Sequence, residues 1–366
     1  MNPIMILLII FIIPMFILMT FTPYWTRKTE SFGISIPMHV FYEPTLKQMR
    51  KQYAWILSAV SMLVAVLLLI LGSIFDSETE IGILFGCITA GFFTISFIIY
   101  LKFHIKMKQM KQQENWYENR KQQVVVSTTF HQQKRTFSNL WFIVSFFLTF
   151  ITVILTLRFY DRIPDPIPIQ YNLSGNVTNW AKKTYRSTLF LPLMQVYLTL
   201  IFIFVNTIIA KAKQQISAEN PEASLKQNIR FRRKWSLFII LMGISLTMMF
   251  SLFQVNYFLD MPNQLMTLFP FVLTGVILIA ALVLSIQTGQ GGSRINVAGT
   301  SDGQHIDRDD DQYWKLGQFY FNKDDPALFL EKRFGVGWTI NLGRPAAWLS
   351  LLGIIALAIF IPFLLI

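Results

Sequence analysis

Charge is scarce in this sequence. Asp, Glu, Lys and Arg make up 14% of its 366 residues while apolar types make up 53%, against roughly 25% charged in a soluble domain. That leaves too little polar surface to solvate a globule of this length. Cysteine occurs once, as Cys87 inside an apolar stretch, which excludes an intramolecular disulfide. The four histidines, His39, His104, His131 and His305, stand singly, without the spacing of a metal site. No phosphate-binding loop, dinucleotide fingerprint or nucleophile elbow is present. The sequence therefore predicts no catalytic residues, no metal, no cofactor and no enzyme activity.

The sequence does contain eight long apolar runs, at about 3–22, 55–75, 81–101, 137–157, 188–210, 235–258, 266–286 and 346–366. Each has the roughly 20 residues that a helix needs to cross the hydrocarbon of a bilayer. The first lacks a basic leader and a small-residue cleavage site, so it reads as a retained span. The expected fold is an all-α polytopic membrane protein of about eight transmembrane helices. No Asp, Glu, His, Lys or Arg falls within the cores of the runs, which argues against proton-coupled transport. Buried amides such as Gln195 and Asn206 read mainly as helix–helix hydrogen-bonding groups, with a hydroxyl- and amide-lined path for a neutral solute as the alternative.

The net charge of +12 comes from basic blocks beside the apolar runs, where lipid headgroups and topology explain it better than nucleic acid does. Loops one, three, five and seven hold 27 Lys and Arg, and loops two, four and six hold 5. The odd loops are therefore expected inside and both termini outside. Trp25, Trp55, Trp141, Trp180, Trp235 and Trp348 lie near span ends as interfacial anchors. The chain divides by this reading into a three-span region (1–136), a two-span unit (137–210) carrying the outer loop 158–187, a loop and hairpin (211–286), an inner segment (287–345) and a final span (346–366).

Two loops are rich in turn and aromatic residues. In the outer loop, Pro164, Pro166 and Pro168 favour extended chain, "NLSGN" supplies turn residues with Gly175 free to take positive φ, and Trp180, Lys182, Lys183 and Arg186 lead back to the membrane. The candidate ligand or partner residues are Gln170, Asn172, Gly175, Trp180 and Lys183. In the inner segment, "TGQGGSRINVAGTSDGQH" reads as a flexible linker. "QFYFN", "ALFLEKR" and "GWTINL" then read as a small three-stranded β-meander, with Trp314, Phe319, Phe321, Phe329 and Trp338 as one apolar cluster. A unit this small must dock on the membrane face or on other loops. The run Asp307, Asp309, Asp311 has the start of a calcium loop but Gln312 and Gln318 at its sixth and twelfth positions, so it reads as a solvated acidic turn. The first loop reads as an extended "ESFGISIP" and a basic helix entering the second span. The third loop continues the third helix, with Lys102, Lys106, Lys108, Lys111, Arg120 and Lys121 as a basic collar for anionic headgroups.

"RIPDPIPIQYNLSGNVTNWAKK" resembles the outer-loop signature of a bacterial membrane domain of unknown function. That domain is shared with the immunity protein against the sporulation-delaying-protein (SDP) toxin. Ile167, Pro168, Asn172, Gly175, Trp180 and Lys183 carry the resemblance. Gln170 and Thr178 stand where that family usually has His and Asp, which removes a titratable or metal-binding pair. The stretch with Tyr313, Trp314, Gly317, Tyr320, Asn322, Asp325, Pro326, Lys332, Arg333, Gly337, Trp338 and Asn341 resembles a second domain of unknown function that precedes a final span. The resemblance implies a bacterial plasma-membrane protein of regulatory or immunity type. Its partners would be anionic lipid headgroups, a peptide or envelope ligand outside and a regulatory protein inside, with a permease or channel without proton coupling as the alternative. The topology has a direct test. Alkaline phosphatase fused after Ile366 should be active and a fusion within 290–305 inactive; the reverse pattern contradicts the orientation.

Overall fold

The structure is a computed structural model and describes residues 3–75, 77–117, 121–125, 133–172, 175–259, 261–297 and 305–363. Its helices are α1 (Pro3–Trp25), α2 (Pro44–Gly72), α3 (Glu78–Glu114), α4 (Ile143–Arg158), the short α5 (Tyr185–Thr188), α6 (Phe190–Lys211), α7 (Pro221–Leu259), α8 (Asn263–Thr288) and α9 (Pro345–Phe363). Seven helices are long and apolar enough to cross a membrane. The eighth expected span is α9, a 19-residue helix, and the apolar residues after Phe363 lie outside the described residues. The two longest helices, α3 and α7, reach well past the bilayer. At about 1.5 Å per residue, the 37 residues of α3 and the 39 of α7 reach beyond a hydrocarbon core of about 30 Å. Local signals set the ends: Pro44 opens α2 at a first-turn position that needs no amide hydrogen, and Asn115 closes α3 in the left-handed conformation.

The strands are short and pair two by two. They are β1 (Glu30–Ser31), β2 (Ile34–Ser35), β3 (Lys121–Gln123), β4 (Ile167–Tyr171), β5 (Val177–Ala181), β6 (His305–Asp307), β7 (Trp314–Lys315), β8 (Phe319–Tyr320), β9 (Phe329–Glu331) and β10 (Trp338–Ile340). Antiparallel pairs join β1 to β2, β4 to β5, β7 to β8 and β9 to β10, and β3 runs parallel to β6.

The chain forms two compact units assembled from separated segments, where the sequence reading divides it linearly. The first comprises residues 1–133, 212–231 and 281–344. Its core packs α1, α2 and α3 together and continues out of the helices into the first loop through Phe32, Ile34, Ile36 and Val40, all buried. The second comprises 134–211, 232–280 and 345–366. There, Ser145, Thr149, Thr152 and Thr156 form a buried stripe along α4. The Thr152 hydroxyl meets Ser251 at 2.9 Å, and Gln195 donates to Ser251 and to the Thr247 carbonyl. Asn206 donates to the Phe137 carbonyl and to Asn139 and accepts from Ser236. These bonds join helices where water cannot serve as the partner.

The final loop departs from the expected meander. Two separate hairpins, β7–β8 and β9–β10, are linked by a single parallel bridge between Tyr320 and Asn341. The physical reason is Asn341, whose fully buried amide does the work of a third strand. Its Nδ2 donates to the carbonyls of Asn322, Asp325 and Ala327, and its Oδ1 accepts from the amides of Asn322 and Gly343. That side chain holds the "NKDDP" turn, whose Pro326 has no amide hydrogen to offer a ladder.

The predicted aromatic cluster is also corrected, by one residue of register. Phe319 and Phe321 are 44% and 40% exposed, whereas Tyr320 between them is 3% exposed and packs with Trp314, Tyr313 and Leu330. Phe329 is half-buried and gives its expected place to Leu330; Trp338 lies apart, 5.2 Å from the Phe231 ring. A one-residue slip turns every side chain of a strand to the other face, and Tyr320 is drawn inward by the hydrogen bond its hydroxyl donates to buried Asp325 at 2.8 Å.

Candidate functional site

Loop 158–187 forms a hairpin in which Pro168 faces Trp180 and Gln170 faces Asn179, with irregular register between. Asn172 closes its tip: its amide donates to the Asn176 carbonyl, its carbonyl accepts from Gly175, and its Oδ1 accepts from the Asn176 amide at 2.8 Å. Gly175 has φ 81°. Lys183 braces the base, donating from Nζ to the Ile163 carbonyl at 2.7 Å and from its amide to Asp165. Its ammonium lies 4.8 Å over the Tyr160 ring, which stacks on Tyr185. Of the five residues singled out in the sequence, Asn172, Gly175 and Lys183 thus shape the hairpin. Gln170 and Trp180 face outward, with Trp180 and the neighbouring Ile169 about half exposed.

The densest polar arrangement lies in the first unit, around the acidic run after β6. Arg333 is buried. Its guanidinium donates to Asp310, Asp311, the Gly33 carbonyl and the Ser35 hydroxyl, and it lies 5.0 Å over the Trp314 ring. Asp311 also accepts from the Ser35 amide, and Lys111 at the end of α3 binds Asp309 and Asp311 at 2.8 and 2.6 Å. Asp307 accepts from the Ala218 amide at 2.6 Å. The run is therefore sequestered by cations and amides, in place of the solvated turn expected from sequence. Lys111, expected in the lipid-facing collar, belongs to this hub instead, because α3 extends far enough to reach it. Lys102, Lys106 and Lys108 are exposed; Arg120 lies outside the described residues.

A second buried pair sits beside the first. Glu331 is fully buried between Arg27 and Asn228, whose Nδ2 donates to it at 2.7 Å. Arg27 also donates to Gln215 and lies 3.5 Å from Glu30. The expected flexible linker is ordered from Gly289 to Val297. Gln290 donates to the carbonyls of Lys332 and Gly337 and accepts from the Gly337 amide, so its side chain replaces a strand partner. Residues 298–304 lie outside the described residues.

Burial and charge pull these groups in different directions. Burial would raise Asp311, yet Arg333 and Lys111 hold it below the usual carboxylate range. Burial would lower Arg333, and Asp310, Asp311 and Glu30 hold it above its ordinary value. Glu30 goes the other way. Burial pushes it up to about 7 despite Arg27 and Arg333, with Asp310 and Asp307 adding to the rise. Its Oε2 is buried with no hydrogen-bond partner among the described residues, and it borders a cavity of about 360 Å³ in the same unit.

Among the described residues seven helices are long and apolar enough to cross a membrane, which makes this a multi-pass membrane protein. Within it, residues 147–196, which hold most of α4, the whole hairpin and the start of α6, match a domain of unknown function (DUF1648). Residues 323–348, which hold Asp325, Glu331, Arg333 and Asn341 of the hub, match a family of unknown function (DUF5808). No curated protein and no solved structure matches the chain. Arg27, Glu30 and Asp310 were not singled out from sequence. For Arg27 and Glu30 the visible signal is charge beside a stretch that packs as apolar core, "RKTESFGISI".

Glu30 makes the hub sensitive to pH. Its raised pKa means that the folded state holds the proton more tightly than the unfolded state, so its contribution to stability falls as pH rises from about 4.5 through about 7. Glu30→Gln should raise the unfolding temperature in detergent above pH 7 and leave it unchanged near pH 4.5. Equal effects at both pH values contradict a carboxyl group whose ionisation burial opposes.

Proposed function

We propose that the chain is a non-enzymatic sensor of immunity or regulatory type in the bacterial plasma membrane. Its hairpin 158–187, facing outward, engages an envelope ligand such as a toxic peptide, and its inner hub meets a regulatory protein. The observation that carries this reading is the division of labour within the hairpin. Asn172, Gly175 and Lys183 are committed to shape, which leaves Ile169, Gln170 and Trp180 displayed on a braced frame. Trp is among the residues enriched in binding hot spots, and the five basic residues of the loop suit an anionic surface or partner. The resemblance to the SDP-immunity domain points the same way. Lipid headgroups would meet Lys102, Lys106 and Lys108.

The permease reading draws on the polar stripe of the second unit, where the buried Gln195 Oε1 has no partner. Asn206, its other candidate, is committed to Phe137, Asn139 and Ser236, which suits a helix staple better than a path. One experiment separates the two. Expressed in a toxin-sensitive bacillus, the chain should raise severalfold the SDP peptide concentration that stops growth. Trp180→Ala with Ile169→Ser should remove most of that tolerance at unchanged membrane abundance. No gain of tolerance from the wild-type chain contradicts the immunity reading, and solute uptake into proteoliposomes would favour the permease.

A further inference from the structure

The cavity of the first unit has a chemical character of its own. At about 360 Å³ it falls within the size range of small-ligand pockets. Most of the charged groups around it are already engaged. Arg27 is taken by Glu331 and Gln215, Arg333 by Asp310 and Asp311, and Lys213 by Asp325. Three charged groups on its wall are left over. Glu30 Oε2 is buried without a donor among the described residues. Lys28 has only the Tyr42 ring at 5.5 Å, and Arg308 is exposed; neither pairs with a carboxylate among the described residues. The Ser217 Oγ, likewise on the wall, is buried without a partner among the described residues.

Leaving a buried carboxylate oxygen without a donor is costly, and a primary ammonium carries three N–H donors and a positive charge. A ligand with that group alone would leave Lys28 and Arg308 unanswered. A ligand with an anion alone would meet the Glu30 carboxylate. A divalent metal would need further carboxylate ligands, and Asp307 and Asp310 are committed elsewhere. A nucleobase would need a stacking surface, and no aromatic side chain lines the cavity among the described residues. Aliphatic groups do line it, including Val125, Ile216 and Val297.

We infer that this cavity binds a free α-amino acid, with Glu30 and Ser217 receiving its ammonium group and Lys28 and Arg308 facing its carboxylate. The bound ammonium supplies the missing donor to Glu30, and the ligand side chain lies against the aliphatic wall. The site draws on the first loop, the chain just before α7 and the segment after β6, so an occupied cavity ties these three together. The inference is independent of what the hairpin binds.

The test uses the full chain in nanodiscs and each proteinogenic L-amino acid in turn at millimolar concentration, read by thermal unfolding and by calorimetry. At least one should bind wild type. Its affinity should fall about 10- to 100-fold in Glu30→Gln, the loss expected for a charged hydrogen bond, and about tenfold in Lys28→Gln, whose side chain is half-exposed and takes no part in the hub. The same amino acid decarboxylated to its amine should bind wild type and Lys28→Gln equally weakly. The inference is overturned if no amino acid binds wild type, if Glu30→Gln and Lys28→Gln both bind as wild type does, or if the amine binds as tightly as the amino acid.

Discussion

The loop hub of the first unit depends on a guanidinium taken out of water. Removing such a charge from solvent costs several kcal/mol, and only close partners offset it. Arg333 has them in two carboxylates, a carbonyl, a hydroxyl and an indole face. Because these come from β2, the β1–β2 turn, the acidic run and β7, satisfying one side chain fixes four stretches of chain at once. Alternation past β9 adds a second tie on the same side. Glu331 and Arg333 both point toward the first loop, while Leu330 points away into the Trp314–Tyr320 cluster, as side chains of an extended segment must. A loop segment too small to hold a core of its own thereby becomes part of a larger one.

Strain accumulates beside this tie. The two-residue turn between β1 and β2 needs positive φ at both positions, and Phe32 takes φ 47° ahead of Gly33 at 79°. A non-glycine residue there costs of order 1–3 kcal/mol. It persists because the Phe32 ring is fully buried among Tyr53, Phe103 and Phe334 and its carbonyl accepts from His104. Gly33 must be glycine, since a Cβ would lie 2.6 Å from the Gly317 carbonyl oxygen and the Tyr100 hydroxyl. The first loop and the β7–β8 turn thus meet backbone to backbone, and α3 joins them through the Tyr100 and His104 side chains.

The spans were legible in the sequence because hydrocarbon imposes one rule, about 20 apolar residues without charge, and seven helices of the structure satisfy it. The hairpin 158–187 was legible as extended chain around a turn because Pro164, Pro168 and Gly175 restrict the backbone locally. The hub was not, since its partners lie far apart in sequence. Arg27 meets Glu331 and Arg333 meets Ser35 across some three hundred residues. Local periodicity also misled where one hydrogen bond overrode it: alternation placed Phe319 and Phe321 inside, and the Tyr320–Asp325 bond reversed the strand. The charges of 307–311 looked solvated because a carboxylate's partners are invisible until the fold brings them together.

Arg333 holds the first loop and the C-terminal segment as one body. Hydrogen–deuterium exchange on the full chain with Arg333→Met tests it most directly, since removing one partner of a buried pair costs about 3–5 kcal/mol. Exchange should rise in 28–38 and at the end of α3 as well as in 313–343, with the apolar helices still protected. A rise confined to 313–343 would contradict the account, for it would mean that the segment folds without the loop it is tied to.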